Sequence, residues 1–228
     1  MGYDSTITFT LDTICPWTYI ALARLRRALA THRTTNPASP VTFTLHIAPY
    51  QLYPSFPRQG TDKHAWYRDE KYSGSEARFE KYAAYMSALG KDEGIAFDFA
   101  SGDIANSFPA HRVLQYVQAT RGPEAALEGL GKAYSMYFEQ GAHPSSNATL
   151  VEVCLAAGLS GEEAERVARD EGVHAVETRM AVQEQTGNGV DSVPYVVFEG
   201  RRRDFTLIGA KEVGEYEKIL KQVVKEAM

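Results

Sequence analysis

The sequence predicts an α/β fold in which a mixed β-sheet, with helices on both faces, is interrupted by a large all-helical insertion. Three observations lead to this prediction. Apolar residues alternate with polar ones, as in strands, only near the two ends of the chain. Apolar residues at helical spacing fill the stretch between those ends. A final amphipathic segment closes the chain. The predicted order is therefore β-α-β, helical insertion, β-β-α.

The first fifty residues predict a β-α-β unit. Ile7, Phe9 and Leu11 alternate with threonines, which is typical of a strand with one buried face. Pro16 cannot continue a strand ladder but is favoured at the first position of a helix, and apolar side chains then recur at helical spacing. A second alternating stretch covers residues 41–47. A short helical crossover makes the two strands parallel neighbours.

The remainder of the chain divides into an inserted block and a closing unit. Several helices, separated by Gly and Pro, are predicted between residues 61 and 186. Strand character returns at residues 195–198 and 205–208, followed by an amphipathic helix. We therefore assign one domain to residues 1–60 and 187–228 and a helical insertion domain to 61–186. The two outer parts together have the order of a thioredoxin fold.

Composition and charge exclude several classes of protein. The 228 residues include 24 Lys and Arg against 29 Asp and Glu, and the net charge of −5 argues against a nucleic-acid partner. No apolar run is long enough to span a bilayer and no signal peptide is recognisable, so we expect no membrane association and a cytoplasmic location. The histidines and cysteines lack metal-ligand spacing, and no phosphate-binding loop is present. We expect neither a metal nor a nucleotide cofactor.

Cys15 is the candidate reactive residue. It lies where a predicted strand meets a helix N-terminus, whose free amides and dipole favour thiolate over thiol. The pKa of a cysteine in such a position can fall from the usual value of about 8.5 to roughly 3.5–7.5. The alternative is an inert buried cysteine. Cys154 lies in an apolar helical stretch, where packing is the expected role and resolution of a disulfide from Cys15 is the alternative.

The sequence around Cys15 resembles a known family. The matching segments are Asp12-Thr13-Ile14-Cys15-Pro16-Trp17 with Tyr19-Ile20-Ala21, Asn106-Ser107 with Ala110-His111-Arg112, Ala133-Tyr134 with Tyr137-Phe138-Glu139-Gln140-Gly141, Ser192-Val193-Pro194, and Leu207-Ile208-Gly209-Ala210. Their order resembles the DsbA-like thioredoxin superfamily over nearly the whole chain, in particular its FrnE-like branch. That branch lies close to 2-hydroxychromene-2-carboxylate isomerases and kappa-class glutathione transferases.

The resemblance implies roles for several residues. Pro194 would form a cis peptide bond facing the Cys15 sulfur, and the backbone of Val193 would pair with a thiol substrate such as glutathione. A proline that opens a strand fits this role, although an ordinary trans proline is the alternative. Dithiol members carry a second cysteine where this chain has Thr18. The site is therefore monothiol, and the Thr18 hydroxyl is predicted to hydrogen-bond the thiolate or a bound sulfur.

Four further residues are predicted to contact the substrate or glutathione. Pro16 and Trp17 follow the reactive cysteine, and Trp17 is expected to form an apolar wall, with core packing as the alternative. Asn106 and His111 match the family's insertion motif and are expected to line the cleft. A structural His–Asn pair is the alternative for these two residues.

Three functions remain open at this stage. The first is a glutathione-linked oxidoreductase or transferase, in which Cys15 attacks a disulfide or an electrophilic carbon. The second is a glutathione-dependent cis–trans isomerase of a conjugated enone, in which Cys15 and Thr18 hold the glutathione sulfur. The third is a non-catalytic ligand-binding protein. The expected partners are a small thiol and an electrophilic or disulfide substrate of unknown identity. A homodimer is an open alternative to a monomer.

Overall fold

A computed structural model describes residues 2–228; Met1, with which the first predicted domain begins, lies outside the described residues. The elements are β1 Tyr3–Leu11, α1 Pro16–Thr35, β2 Val41–Pro49, β3 Thr61–Asp62, α2 Lys63–Trp66, a π-helical segment Tyr67–Lys71, α3 Glu76–Asp92, β4 Asp103–Ile104, α4 Phe108–Arg121, α5 Pro123–Glu139, α6 Asn147–Ala156, α7 Gly161–Arg169, α8 Ala175–Gly187, β5 Tyr195–Phe198, β6 Phe205–Ile208 and α9 Val213–Ala227.

The central sheet confirms the predicted mixed topology. Its strand order is β2-β1-β5-β6, with β1 parallel to β2 and antiparallel to β5. In this register Ile7 lies opposite Leu45 on one side and Phe198 on the other. The alternating residues Ile7 and Phe9 are fully buried, as period-two patterning requires. The end of β1 therefore lies beside the start of β5, which is the arrangement that positions the site.

The insertion is mostly helical, and its helices share a hydrophobic core with the sheet. Leu114, Leu130 and Tyr134 of α4 and α5 belong to the same buried cluster as Ile7 and Phe9 of β1. In addition to the predicted helices, β3 and β4 form a short antiparallel pair. Two-residue strands are too short to produce a period-two pattern in the sequence. The domain boundaries remain a prediction.

The helices are characterised by their length, their apolar character and their packing. None of the helices within residues 2–228 has the length and apolar character needed to cross a bilayer. The first helix, α1, packs against α9, and its buried face includes Ile20, Ala21 and Leu25. Contacts with α9 reach the C-terminal part of α1, where Thr31, His32 and Thr35 lie beside Glu217 and Lys221.

Candidate active site

Cys15 lies at the junction between β1 and α1. It immediately precedes the helix, with an extended backbone at φ −93° and ψ 114°. Pro16 is the first helical residue, where a missing N–H costs nothing. The N–H of Cys15 donates to the Asp12 carbonyl over 3.0 Å, and the N–H of Thr18 donates to the Cys15 carbonyl over 3.1 Å. These two bonds hold the turn that carries the sulfur to the opening of α1.

The sulfur of Cys15 faces the segment that leads into β5. Its thiol donates to the carbonyl of Val193 with a sulfur–oxygen distance of 3.8 Å. The Val193–Pro194 peptide bond is cis. The Pro194 carbonyl accepts a hydrogen bond of 2.8 Å from the N–H of Gly209, which ties this segment to the end of β6. The structure thus brings together Cys15, Pro16, Val193 and Pro194.

The ionisation of Cys15 differs from the sequence prediction. Burial raises the pKa of the thiol to about 11, and the negative charge of Asp12 adds to this effect. The residue is only 5% exposed, and its side chain accepts no capping hydrogen bond from the first turn of α1. The amides of Thr18 and Trp17 and the ammonium group of Lys71 lower the pKa, but desolvation dominates. The predicted thiolate at neutral pH is therefore wrong for this conformation.

The hydroxyl of Thr18 contacts other groups than the sulfur. It lies 2.6 Å from the carbonyl oxygen of Cys15 and 2.9 Å from that of Asp12, and it accepts a hydrogen bond of 2.8 Å from the Tyr134 hydroxyl. Thr18 and Tyr134 are both fully buried. The hydroxyl therefore does not bond the Cys15 sulfur in this structure, and its hydrogen bond to a bound sulfur stays a prediction. A first-turn Ser or Thr can bond the preceding backbone instead, as Thr18 does here.

A buried carboxylate, Asp12, joins three parts of the site and was missed as a functional residue. Its Oδ2 accepts a hydrogen bond of 2.7 Å from the N–H of Leu52, and its Oδ1 lies 3.4 Å from the N–H of Ile14 and from Nε2 of His111. Asp12 is fully buried and His111 is 2% exposed. The structure therefore places His111 beside the Cys15 turn through Asp12. An acidic residue at the end of a buried strand was the available signal.

Asn106 does not pair with His111. Its Oδ1 accepts hydrogen bonds from Gln51 over 3.1 Å and from the N–H of Phe108 over 2.9 Å, while its Nδ2 donates to the Pro54 carbonyl over 2.8 Å. The alternative of a structural His–Asn pair is therefore wrong. Asn106 instead holds the loop after β2 and lines a cavity of about 340 Å³.

Trp17 is half-buried at the start of α1. Its ring lies 6.2 Å from that of Tyr85, which is 54% exposed, and it packs at the margin of a second buried cluster that contains Tyr67 and Phe79. The core-packing alternative therefore describes the buried part of this side chain, and the apolar wall of the site stays a prediction.

Five tyrosines and one lysine lie near enough to the sulfur to interact with a charge on it, and of these only Tyr134 and Tyr137 belong to a matched segment of the sequence. Burial is the main cause that raises the pKa of five tyrosines, and a negative charge on Cys15 would raise each further: Tyr53, Tyr67, Tyr82, Tyr134 and Tyr137. Lys71 lies with its Nζ 5.3 Å from the ring centres of both Tyr67 and Tyr82. Desolvation lowers the pKa of Lys71, and a thiolate at Cys15 would oppose that shift. Lys71 is therefore a cation that can respond to charge on the sulfur.

Cys154 lies apart from this arrangement. It is a fully buried free cysteine of α6 in the main hydrophobic core, which fits the predicted packing role. Burial raises the pKa of its thiol to about 11. Within residues 2–228, no three His, Cys, Asp or Glu side chains form a group that could hold a metal ion.

The thioredoxin-like sheet, the cysteine at the helix opening and the facing Val193–Pro194 segment agree with the family comparison. The model of the DsbA-like thioredoxin domain matches residues 6–221. The chain belongs to the DsbA-like thioredoxin family. No curated protein matches it in sequence.

Solved structures of DsbA-like proteins share the fold. The "probable DsbA oxidoreductase" of Streptomyces coelicolor is 24% identical with a TM-score of 0.83, over 98% of this chain and 92% of that chain. The cytosolic disulfide reductase DsbM of Pseudomonas aeruginosa is 15% identical with a TM-score of 0.61, over 96% and 98%; a further structure of DsbM contains GSH. A 2-hydroxychromene-2-carboxylate isomerase is 14% identical with a TM-score of 0.61, over 96% of each chain.

Proposed function

We propose that this DsbA-like protein is a monothiol, glutathione-linked oxidoreductase or transferase in which Cys15 is the reactive sulfur. One observation carries the proposal: the Cys15 thiol lies at the opening of α1 and donates to the Val193 carbonyl. The same backbone segment offers hydrogen-bonding groups to an extended thiol. The position that would hold a resolving cysteine is Thr18, so an external thiol must complete the cycle.

The proposed exchange balances without a further oxidant. The Cys15 thiolate attacks a disulfide between a substrate and glutathione, forms a Cys15–glutathione disulfide and releases the substrate as a thiolate. A second glutathione thiolate attacks that disulfide, releases Cys15 and forms oxidised glutathione. A proton taken up by the substrate thiolate is matched by the one lost from the second glutathione.

The burial and raised pKa of Cys15 mean that this reaction requires the site to open first. Because the residue is 5% exposed, the groups that cover it must move before any disulfide can reach the sulfur. That movement also removes the desolvation that raises the pKa most. The amides of Thr18 and Trp17 and the charge of Lys71 then remain to favour the thiolate, against Asp12 alone. Opening and activation are therefore one event in this proposal.

Buried polar groups beside the sulfur support a polar ligand. The hydroxyl groups of Thr13 and Tyr137 are buried and lack a hydrogen-bond partner among the described residues. Such groups normally find partners, since an unmet one costs about 1–3 kcal/mol. Glutathione carries amide and carboxylate groups that fit this need, and Val193 would hold its backbone. Because Thr13 and Tyr137 are 2% and 1% exposed, their hydroxyls would reach glutathione only after the groups that cover Cys15 have moved.

Intact-mass analysis after incubation with oxidised glutathione tests the proposal. The expected product is one glutathione per chain, present in Cys154→Ala and absent in Cys15→Ser. The two variants are matched, because each retains one cysteine. An adduct that persists in Cys15→Ser, or no adduct in any of the proteins, would overturn the oxidoreductase proposal.

The raised pKa favours a second candidate, a glutathione-dependent cis–trans isomerase. A Cys15 that stays protonated can turn its single S–H from the Val193 carbonyl to a bound sulfur, so it is suited to hold that sulfur and not to attack. The glutathione thiolate would add to the enone, the former double bond would rotate, and elimination would restore conjugation. Absorbance-monitored conversion of cis-4-phenylbut-3-en-2-one should then require glutathione and persist in Cys15→Ser. Neither an adduct nor turnover is the outcome expected of a binding protein, and it would overturn both candidates.

A further inference from the structure

A cavity of about 340 Å³ lies between the loop after β2, the start of α4 and one face of α8. Its polar lining includes two arginines, Arg58 and Arg179, together with Asn106, and no acidic residue belongs to the lining. Phe108, Pro54 and Val182 supply apolar walls. Two guanidinium groups around one cavity are notable in a chain whose net charge is −5. The cavity is therefore suited to a ligand with one anionic end and an apolar body.

Arg179 is an exposed arginine that lines this cavity. Its guanidinium lies over the Phe108 ring, with 5.3 Å between Cζ and the ring centre. Stacking on a ring orients the guanidinium plane and leaves its N–H groups at the edge free to donate. Arg179 forms no ion pair with any residue in the described part of the chain. Its charge is thus available to a ligand.

Arg58 can add to this binding although it has a partner. It forms an ion pair with Glu171, whose side chain is 66% exposed, while that of Arg58 is 49% exposed. Exposed ion pairs contribute little stability, and a guanidinium has five N–H donors. A ligand can therefore share Arg58 with Glu171 at low cost. The positive end of α4, which begins at Phe108, acts in the same direction.

Hydrogen bonds connect the cavity to the site of Cys15. Gln51 in the cavity wall donates to Asn106 over 3.1 Å. The neighbouring Leu52 donates to the carboxylate of Asp12 over 2.7 Å, and the Asp12 carbonyl accepts from Cys15. A molecule in the cavity would therefore lie beside the loop that contacts the reactive turn.

We propose that this cavity binds an organic carboxylate, with Arg179 and Arg58 on the carboxylate and Phe108, Pro54 and Val182 around the apolar part. Carboxylates match the planar fork of a guanidinium, which gives two parallel hydrogen bonds. The carboxylate can belong to glutathione or to a second substrate. Binding at this site does not require Cys15 to react.

Calorimetric titration with 3-phenylpropanoate tests the site on the full chain. The expected result is saturable binding that weakens at high salt and is at least about tenfold tighter than that of 3-phenylpropanamide, which lacks the charge. Arg179→Met should weaken binding at least about tenfold, in line with the loss of a charge-assisted hydrogen bond. Arg202→Met, which changes an exposed arginine of the β5–β6 connection, should leave it unchanged. The melting temperature of each variant shows that it is folded.

The remaining outcomes show whether the carboxylate belongs to glutathione or to a second substrate. They also test the carboxylate site independently of the proposed reaction of Cys15. If glutathione supplies it, Arg179→Met weakens glutathione binding by a similar factor; if a second substrate supplies it, glutathione binding is unchanged while 3-phenylpropanoate binding falls. Cys15→Ser should retain carboxylate binding and lose only the adduct, so each proposal can fail alone. Equal affinity for the acid and the amide, equal effects of Arg179→Met and Arg202→Met, or no binding at all would overturn the carboxylate site.

Discussion

Replacement of Thr18 by Val separates two roles for its hydroxyl, that of a partner to the sulfur and that of a structural link. The structure supports the second, because the hydroxyl lies 2.6 Å from the Cys15 carbonyl and accepts from Tyr134 over 2.8 Å. In Thr18→Val the buried Tyr134 hydroxyl loses its acceptor, at a cost of about 1–3 kcal/mol. The loss of the hydroxyl's own donated bond adds about 1 kcal/mol. We expect a decrease in the free energy of unfolding of about 2–4 kcal/mol, or about 4–16 °C in melting temperature.

The pKa of the Cys15 thiol should be unchanged in Thr18→Val. Thiolate absorbance against pH, measured in a Cys154→Ala background so that one thiol reports, should give the same midpoint for Thr18→Val, for Thr18→Ser and for the parent protein. Thr18→Ser retains the hydroxyl and should retain most of the stability. Adding Tyr134→Phe to Thr18→Val should recover about 1–2 kcal/mol, since the unmet donor is gone. A midpoint shift of more than about half a pH unit, or equal stability of Val and Ser variants, would refute this reasoning.

Three further perturbations follow from buried groups and close contacts. Burial lowers the pKa of Lys63 to about 8 from its usual 10.5, so the unfolded state binds more protons between these values and the stability of the wild-type protein rises with pH there. Lys63→Met should abolish this rise, which is on the order of 3 kcal/mol, in urea unfolding measured at pH 7.5 and 10. Parallel pH profiles of the two proteins would contradict this prediction. Burial raises the pKa of Cys154 to about 11 from its usual 9.0, so between these pH values the folded state holds a proton that the unfolded state loses, and stability should fall as pH rises. Cys154→Ala should reduce that fall by on the order of 2 kcal/mol in the same assay. An unchanged slope of stability against pH would count against this prediction. Gly102 has φ +81°, and a Cβ there would collide with the backbone of Gly141, so Gly102→Ala should lower stability by at least about 2 kcal/mol in thermal unfolding. The control Gly131→Ala, at an open helical position, should stabilise the protein by about 0.5–1 kcal/mol. Equal melting temperatures for the two variants would exclude this explanation.

The strand and helix pattern of the sheet could be predicted because it depends on local periodicity. Ile7, Phe9 and Leu11 show the alternation of β1 directly, and Pro16 marks the first residue of α1. The topology followed from the order of elements and the rule that parallel neighbours need a crossover. The pair β3–β4 could not be predicted, since two residues carry no period.

The ionisation of the site could not be predicted for a different reason. A helix N-terminus is a local feature, and its effect on the pKa of Cys15 is predicted from neighbouring residues alone. Desolvation depends on which distant side chains cover the sulfur, and those come from segments with no recognisable motif, such as Tyr67 and Lys71. The closeness of Thr18 and Cys15 in sequence predicts a hydrogen bond from the hydroxyl to the thiolate or to a bound sulfur, whereas its contact with Tyr134 spans 116 positions of the chain and no local pattern predicts it.

Asp12 shows why ionisation and architecture cannot be separated at this site. Its carboxylate is fully buried and accepts from the N–H of Leu52, while its carbonyl accepts from the N–H of Cys15. These bonds hold the loop after β2 against the opening of α1, yet the same negative charge raises the pKa of the thiol. Removal of Asp12 would favour the thiolate and leave buried donors unmet, so activity and stability would change together. Lys71 acts on the thiol by charge from a position over Tyr67 and Tyr82, with no hydrogen bond to the Cys15 turn. A change in the charge of Lys71 can therefore change the pKa of the Cys15 thiol without breaking the hydrogen bonds of the turn that holds it.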